Sequence, residues 1–137
     1  ASLSRPRPTD SARATADSHA SHAQNPALSP QRGAPPPVVL SPSHPQVSRA
    51  VLEEGARSAG IDPAGLDVAL PQRRLAEFFA GRGVPVLDLL PAFEREARER
   101  DPDGFYLNND THWSVTGNEI AAREITRFVV DQLGHGA

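Results

Sequence analysis

Asp110-Thr111-His112-Trp113 brings a carboxylate, an imidazole and a large aromatic ring together in a stretch of turn-forming residues just ahead of an apolar-periodic segment. Histidine exchanges a proton near neutral pH. A carboxylate on its second ring nitrogen fixes the tautomer and stabilises the imidazolium that forms when a hydroxyl is deprotonated. Asp110 is spaced to be that carboxylate and His112 that base. A bare triplet of this kind is more often a surface turn, with the aspartate capping backbone amides and the histidine a bystander. Trp113 is a candidate substrate-binding ring, or equally a group packed against the domain edge.

Other reactive chemistry is sparse. The chain has no cysteine, which excludes thiol nucleophiles, disulfides and cysteine-ligated zinc. His19, His22 and His44 have no metal-ligand spacing with carboxylates, so no metal site and no cofactor is expected. His135 falls in a terminal tail and is assigned no role. Net charge is −3 and every basic residue is arginine. No basic field favours nucleic acid, and no apolar run approaches the roughly 20 residues that span a bilayer. Oligomeric state and compartment leave no mark in the sequence. The chain starts at Ala1 and contains no methionine, which fits a processed form or a fragment.

The elements that would hold the triplet begin well inside the chain. Nine of the 14 prolines lie in the first 45 residues, and positions 1–34 show no helical or strand period. Residues 1–36 are therefore expected to be a disordered tail, unable to bury enough apolar surface to offset the entropy of ordering. Residues 37–134 are expected to form one domain. Val38-Val39-Leu40 reads as a strand buried on both faces. Ser43 and Gln46 offer a capping box for a helix that carries Val47, Val51 and Leu52 to Gly60. A second helix is expected over Pro71–Ala80, with Leu75, Phe78 and Phe79 on its apolar face and Gly81 as its stop. Val84–Leu89 reads as another buried strand, after which Asp88 serves as cap or turn and Pro91 opens a helix with Phe93 and Ala97 inward. Asn108 to Ser114 form the loop. Thr116 and Glu119 offer a capping box for a last helix, whose stripe of Ala121, Ile125, Phe128, Val129 and Leu133 ends at Gly134. Strands separated by helices indicate a parallel sheet. Two strands are few for such a sheet, which points to further strands upstream.

These elements in this order resemble the SGNH/GDSL hydrolases, in the variety that ends on D-x-H-W-x-x-x-G. The matching residues are Val38-Val39-Leu40-Ser41-Pro42, Pro71-Gln72-Arg73-Arg74-Leu75, Leu87-Asp88-Leu89-Leu90-Pro91-Ala92-Phe93 and Asp110-Thr111-His112-Trp113-Ser114-Val115-Thr116-Gly117. The resemblance implies the C-terminal part of a three-layer α/β/α flavodoxin-like domain with a parallel sheet. It further implies that Asp110 and His112 are the acid and base of a Ser-His-Asp triad. Asn109 stands where many members place the acid, and in this variety it is a turn residue. The expected chemistry is hydrolysis of a small carboxylic ester, or of O-acyl groups on a saccharide or lipid, through an acyl-serine. The same triad serves O-acetyl transfer when a sugar hydroxyl replaces water, and a non-catalytic, degenerate domain is the rival reading. Members are often exported or membrane-tethered. The family's Gly-Asp-Ser block and oxyanion donors have no counterpart in this sequence. Ala16-Asp17-Ser18-His19 imitates the block without the strand that would hold Ser18, and Ser41 and Ser43 are read as backbone caps.

Overall fold

Two short apolar runs pair first. In the computed structural model, which describes residues 34–135, β1 (Val38–Leu40) and β2 (Val86–Asp88) lie parallel, with Val38 opposite Val86 and Leu40 opposite Asp88. A parallel pair needs a crossover, and three helices supply it. These are α1 (His44–Val47), α2 (Arg49–Ala59) and α3 (Leu70–Ala80). Beyond β2 come α4 (Leu90–Glu96), a 3-10 turn at Pro102–Phe105 and the long α5 (Val115–His135). The mixture of helices with a parallel sheet is the α/β arrangement expected. The tail assigned to residues 1–36 lies almost wholly outside the described residues, as do Ser18, His19 and His22. No helix among the described residues is long and apolar enough to cross a membrane.

The core sits between α4, the 3-10 turn and α5. Leu89, Phe93, Phe105, Tyr106, Ile120 and Ala121 are buried there, and Trp113 packs on them from the side. Phe93 is its centre, meeting Phe105 edge to face at 6.0 Å and Trp113 in a tilted contact at 5.5 Å. Outside it, Arg95 pairs with Glu124 at 3.2 Å and Arg123 with Glu96 at 2.6 Å, tying α4 to α5.

Several elements differ from the sequence expectation. The helix predicted from Ser43 to Gly60 is two helices, broken at Ser48. That residue is extended and begins α2 by accepting a hydrogen bond from the Val51 amide at its hydroxyl. Serine competes with the helical backbone for its own hydrogen bonds, which makes it a better cap than an interior residue. Gly60 does end α2, in the left-handed conformation. The capping box at Ser43 is present, with Gln46 Oε1 accepting from the Ser43 amide at 2.8 Å.

Of the face assigned to α3, Leu75 and Phe78 are exposed and Phe79 is half-buried, while Gln72 is buried. Gln72 is drawn inward by an amide pair with Gln46, whose Nε2 lies 2.5 Å from Gln72 Oε1. Val39 of β1 is likewise exposed rather than covered on both faces. The last helix begins two residues earlier than a cap at Thr116 implied. Ser114 precedes it and accepts the Gly117 amide at its hydroxyl, and the helix continues through Gly134 to His135.

Candidate active site

The Asp110–His112 loop is the tip of a one-rung hairpin. Tyr106 and Trp113 form an antiparallel bridge, flanked by bonds from the Ser114 amide to the Phe105 carbonyl and from the Leu107 amide to the His112 carbonyl, both 2.9 Å. The tip closes through the Asp110 amide on the Leu107 carbonyl and a left-handed Asn109 at φ 56°. Asparagine tolerates that conformation better than most side chains, so Asn109 acts as a turn residue. The base of the hairpin is held by α5. A Cβ on Gly117 would lie 2.2 Å from the Phe105 carbonyl oxygen and 2.9 Å from the Trp113 Cβ, so only glycine lets the helix come this close.

Within this loop Asp110 Oδ1 makes two bonds to one residue. It accepts the His112 backbone amide at 3.1 Å and lies 2.5 Å from His112 Nδ1. The capping turn and the carboxylate–ring contact therefore coexist: the first bond fixes where the ring starts and the second fixes how it faces. The ring and amide of His112 hold the Asp110 carboxyl below its ordinary range, the ring being the larger cause. The other ring nitrogen, Nε2, bonds nothing among the described residues. The His112 side chain is 80% exposed and Asp110 44%, so the pair is open to an incoming molecule.

His112 lines a hollow of about 290 Å³ with Ser41, Thr111, Trp113 and Asn118. Trp113 packs on Phe93 and also lines the hollow. Ser41 directly follows β1, at the carboxyl end of the sheet, where open α/β folds bind ligands. Its hydroxyl bonds no backbone group among the described residues, so there it is not the cap expected. Asn118, on the first turn of α5, gives both its amide bonds to the carbonyls of Trp113 and Ser114. Asp88 takes the turn role expected of it, accepting the Leu90 amide at 2.9 Å just ahead of α4.

A second histidine–carboxylate pair supports the hairpin from beneath. His44 stacks on Tyr106, with centroids 4.4 Å apart, and its Nε2 lies 3.0 Å from Asp103 Oδ1. The Ser48 hydroxyl and the His44 ring beside Asp103 hold its carboxyl below the usual range. Tyr106 in turn donates its hydroxyl to the Pro42 carbonyl at 3.0 Å, joining the hairpin to the exit of β1. Burial pushes the Tyr106 hydroxyl up to about 12. None of this was visible in the sequence, where His44 has no carboxylate near it. No cluster of three or more His, Asp or Glu side chains suited to a metal occurs among the described residues.

A parallel strand pair with crossover helices and an Asp-x-His hairpin beside the strand ends defines an SGNH hydrolase-like domain. The family model described as the SGNH hydrolase-like domain of the acetyltransferase AlgX matches residues 8–137, and the chain belongs to that family. No curated protein and no solved structure matches the chain.

Proposed function

We propose that this domain works in acyl transfer through oxygen esters, with His112 as the base and Asp110 as the acid that orients it. The observation that carries the reading is the 2.5 Å contact between Asp110 Oδ1 and His112 Nδ1, in a loop whose other ring nitrogen is left for a reacting group. In the neutral ring Asp110 accepts the Nδ1 proton, so the lone pair stays on Nε2. Nε2 can then take the proton of a hydroxyl as its oxygen attacks the acyl carbon. The resulting imidazolium gives that proton to the departing alkoxide. The open pair and the neighbouring Trp113 ring suit a small ester or an O-acylated saccharide or lipid. With water as the second acceptor the outcome is ester hydrolysis. The family's description as an acetyltransferase favours a hydroxyl acceptor instead.

The test is the tautomer of His112. Ring-nitrogen chemical shifts, measured with labelled histidine above the ring's titration, should show the proton on Nδ1 in the wild type. In Asp110→Asn they should show a mixture. A proton resident on Nε2 in the wild type would remove the base from its role.

A further inference from the structure

Five serines fall within residues 34–135, and four of them are committed elsewhere or lie away from the hollow. The Ser43 hydroxyl donates to Gln46, that of Ser48 accepts the Val51 amide, and that of Ser114 donates to the Gly104 carbonyl at 2.6 Å. Ser58 lies on α2 and does not line the hollow. Ser41 remains. It lines the hollow with His112, and its hydroxyl bonds no group among the described residues.

The backbone around Ser41 is held on every side. The Leu40 carbonyl accepts the Leu89 amide at 3.1 Å, the Ser41 carbonyl is met by Nε2 of the buried Gln72 at 3.5 Å, and the Pro42 carbonyl accepts the Tyr106 hydroxyl at 3.0 Å. Three separate elements thus fix the main chain, while the hydroxyl bonds none of the described residues. A side chain with one free donor on a locked backbone loses little entropy on binding, the condition under which a single hydrogen bond discriminates well. Ser41 and His112 line one hollow with no bond joining them, so a molecule held in that hollow can meet both.

We propose that Ser41 is a substrate-contacting residue of this site, its hydroxyl donating to an oxygen of the O-acyl ester that His112 serves. The inference rests on the acyl-transfer reading of His112 and Asp110, and the experiment separates the two.

Glycerol triacetate, a small O-acetyl ester, is titrated into the full chain. Binding is read from the His112 ring signals and from the indole of Trp113, the one tryptophan present. Shifts at His112 and Trp113 are expected in the wild type. Ser41→Ala should weaken binding about five-fold, the loss of one hydrogen bond. Ser41→Thr, which keeps a hydroxyl, should restore it, and Ser43→Ala should leave it unchanged. Equal affinity in wild type and Ser41→Ala, with His112 and Trp113 still shifting, would overturn the role of Ser41 alone. No shift at His112 or Trp113 in the wild type would overturn the reading of the site, and Ser41 with it.

Discussion

Asp110 and His112 meet because their separation of two positions suits a turn. The carboxylate that caps the His112 amide is also the one that reaches the ring. Nothing beyond the loop is needed to bring the two together, although the triplet alone reads more often as a surface turn and the pairing was expected from the D-x-H-W resemblance. Tyr106 shows the opposite case. Its hydroxyl is buried against the Pro42 carbonyl, a partner that only the folded chain supplies. Its titration is pushed up to about 12, above the ordinary value for tyrosine, so the folded state holds the proton more tightly than the unfolded one. That contribution is complete below about pH 10 and is lost as pH rises through the folded value. Tyr106→Phe should lower stability by about 1 kcal/mol at neutral pH, through the lost hydrogen bond. It should also flatten the decline in stability between pH 10 and 12. Urea melts of both proteins across that range decide the matter, and an unchanged alkaline slope would sink the assignment.

At the scale of elements, the hairpin and the start of α5 form one unit, locked where Gly117 meets the Phe105 carbonyl. A methyl group there would collide with backbone and with Trp113 Cβ, neither of which rotates away. Gly117→Ala should therefore destabilise by about 1–3 kcal/mol, the usual range for overpacking, or more. It should also shift the emission of Trp113 in the folded state. A melt matching the wild type, with unchanged fluorescence, would show that the helix does not bear on the hairpin this closely. The spacing of Trp113 and Gly117 was read from the same D-x-H-W-x-x-x-G resemblance. The inward face of α3 was not legible. Apolar periodicity placed Leu75 and Phe78 inside, whereas the polar Gln72 is drawn in by Gln46, a partner from a distant helix that no local pattern reveals. Ser48 was missed for a related reason. The apolar spacing of Val47, Val51 and Leu52 runs through it unbroken, and only its hydroxyl's competition with the backbone divides the helix.

Across the whole molecule, the parts of the site converge on the carboxyl end of the strand pair from three directions. β1 delivers Ser41, the hairpin delivers Asp110 and His112, and α5 delivers Asn118. The sequence singled out Asp110 and His112 as candidates and read Ser41 only as a backbone cap, because the place of Ser41 in one hollow with His112 depends on the pairing of β1 with β2 and on the Tyr106 bond that draws the hairpin to Pro42. Acyl transfer needs more than these. A nucleophilic hydroxyl must reach Nε2, and donors must receive the charge on the acyl oxygen; these groups act as a unit with the base, so that an acid and base alone give little rate. Among the described residues no serine hydroxyl is bonded to His112, and both amide bonds of Asn118 are spent on backbone carbonyls. The 137-residue chain should accordingly hydrolyse p-nitrophenyl acetate no faster than its His112→Ala variant. A fluorophosphonate serine probe and Ser18→Ala complete the experiment, since Ser18 lies outside the described residues and carries the nearest imitation of a Gly-Asp-Ser block. Turnover abolished in both His112→Ala and Ser18→Ala, with the probe attached to Ser18, would overturn the prediction. It would make Ser18 the nucleophile that the Asp110–His112 pair serves.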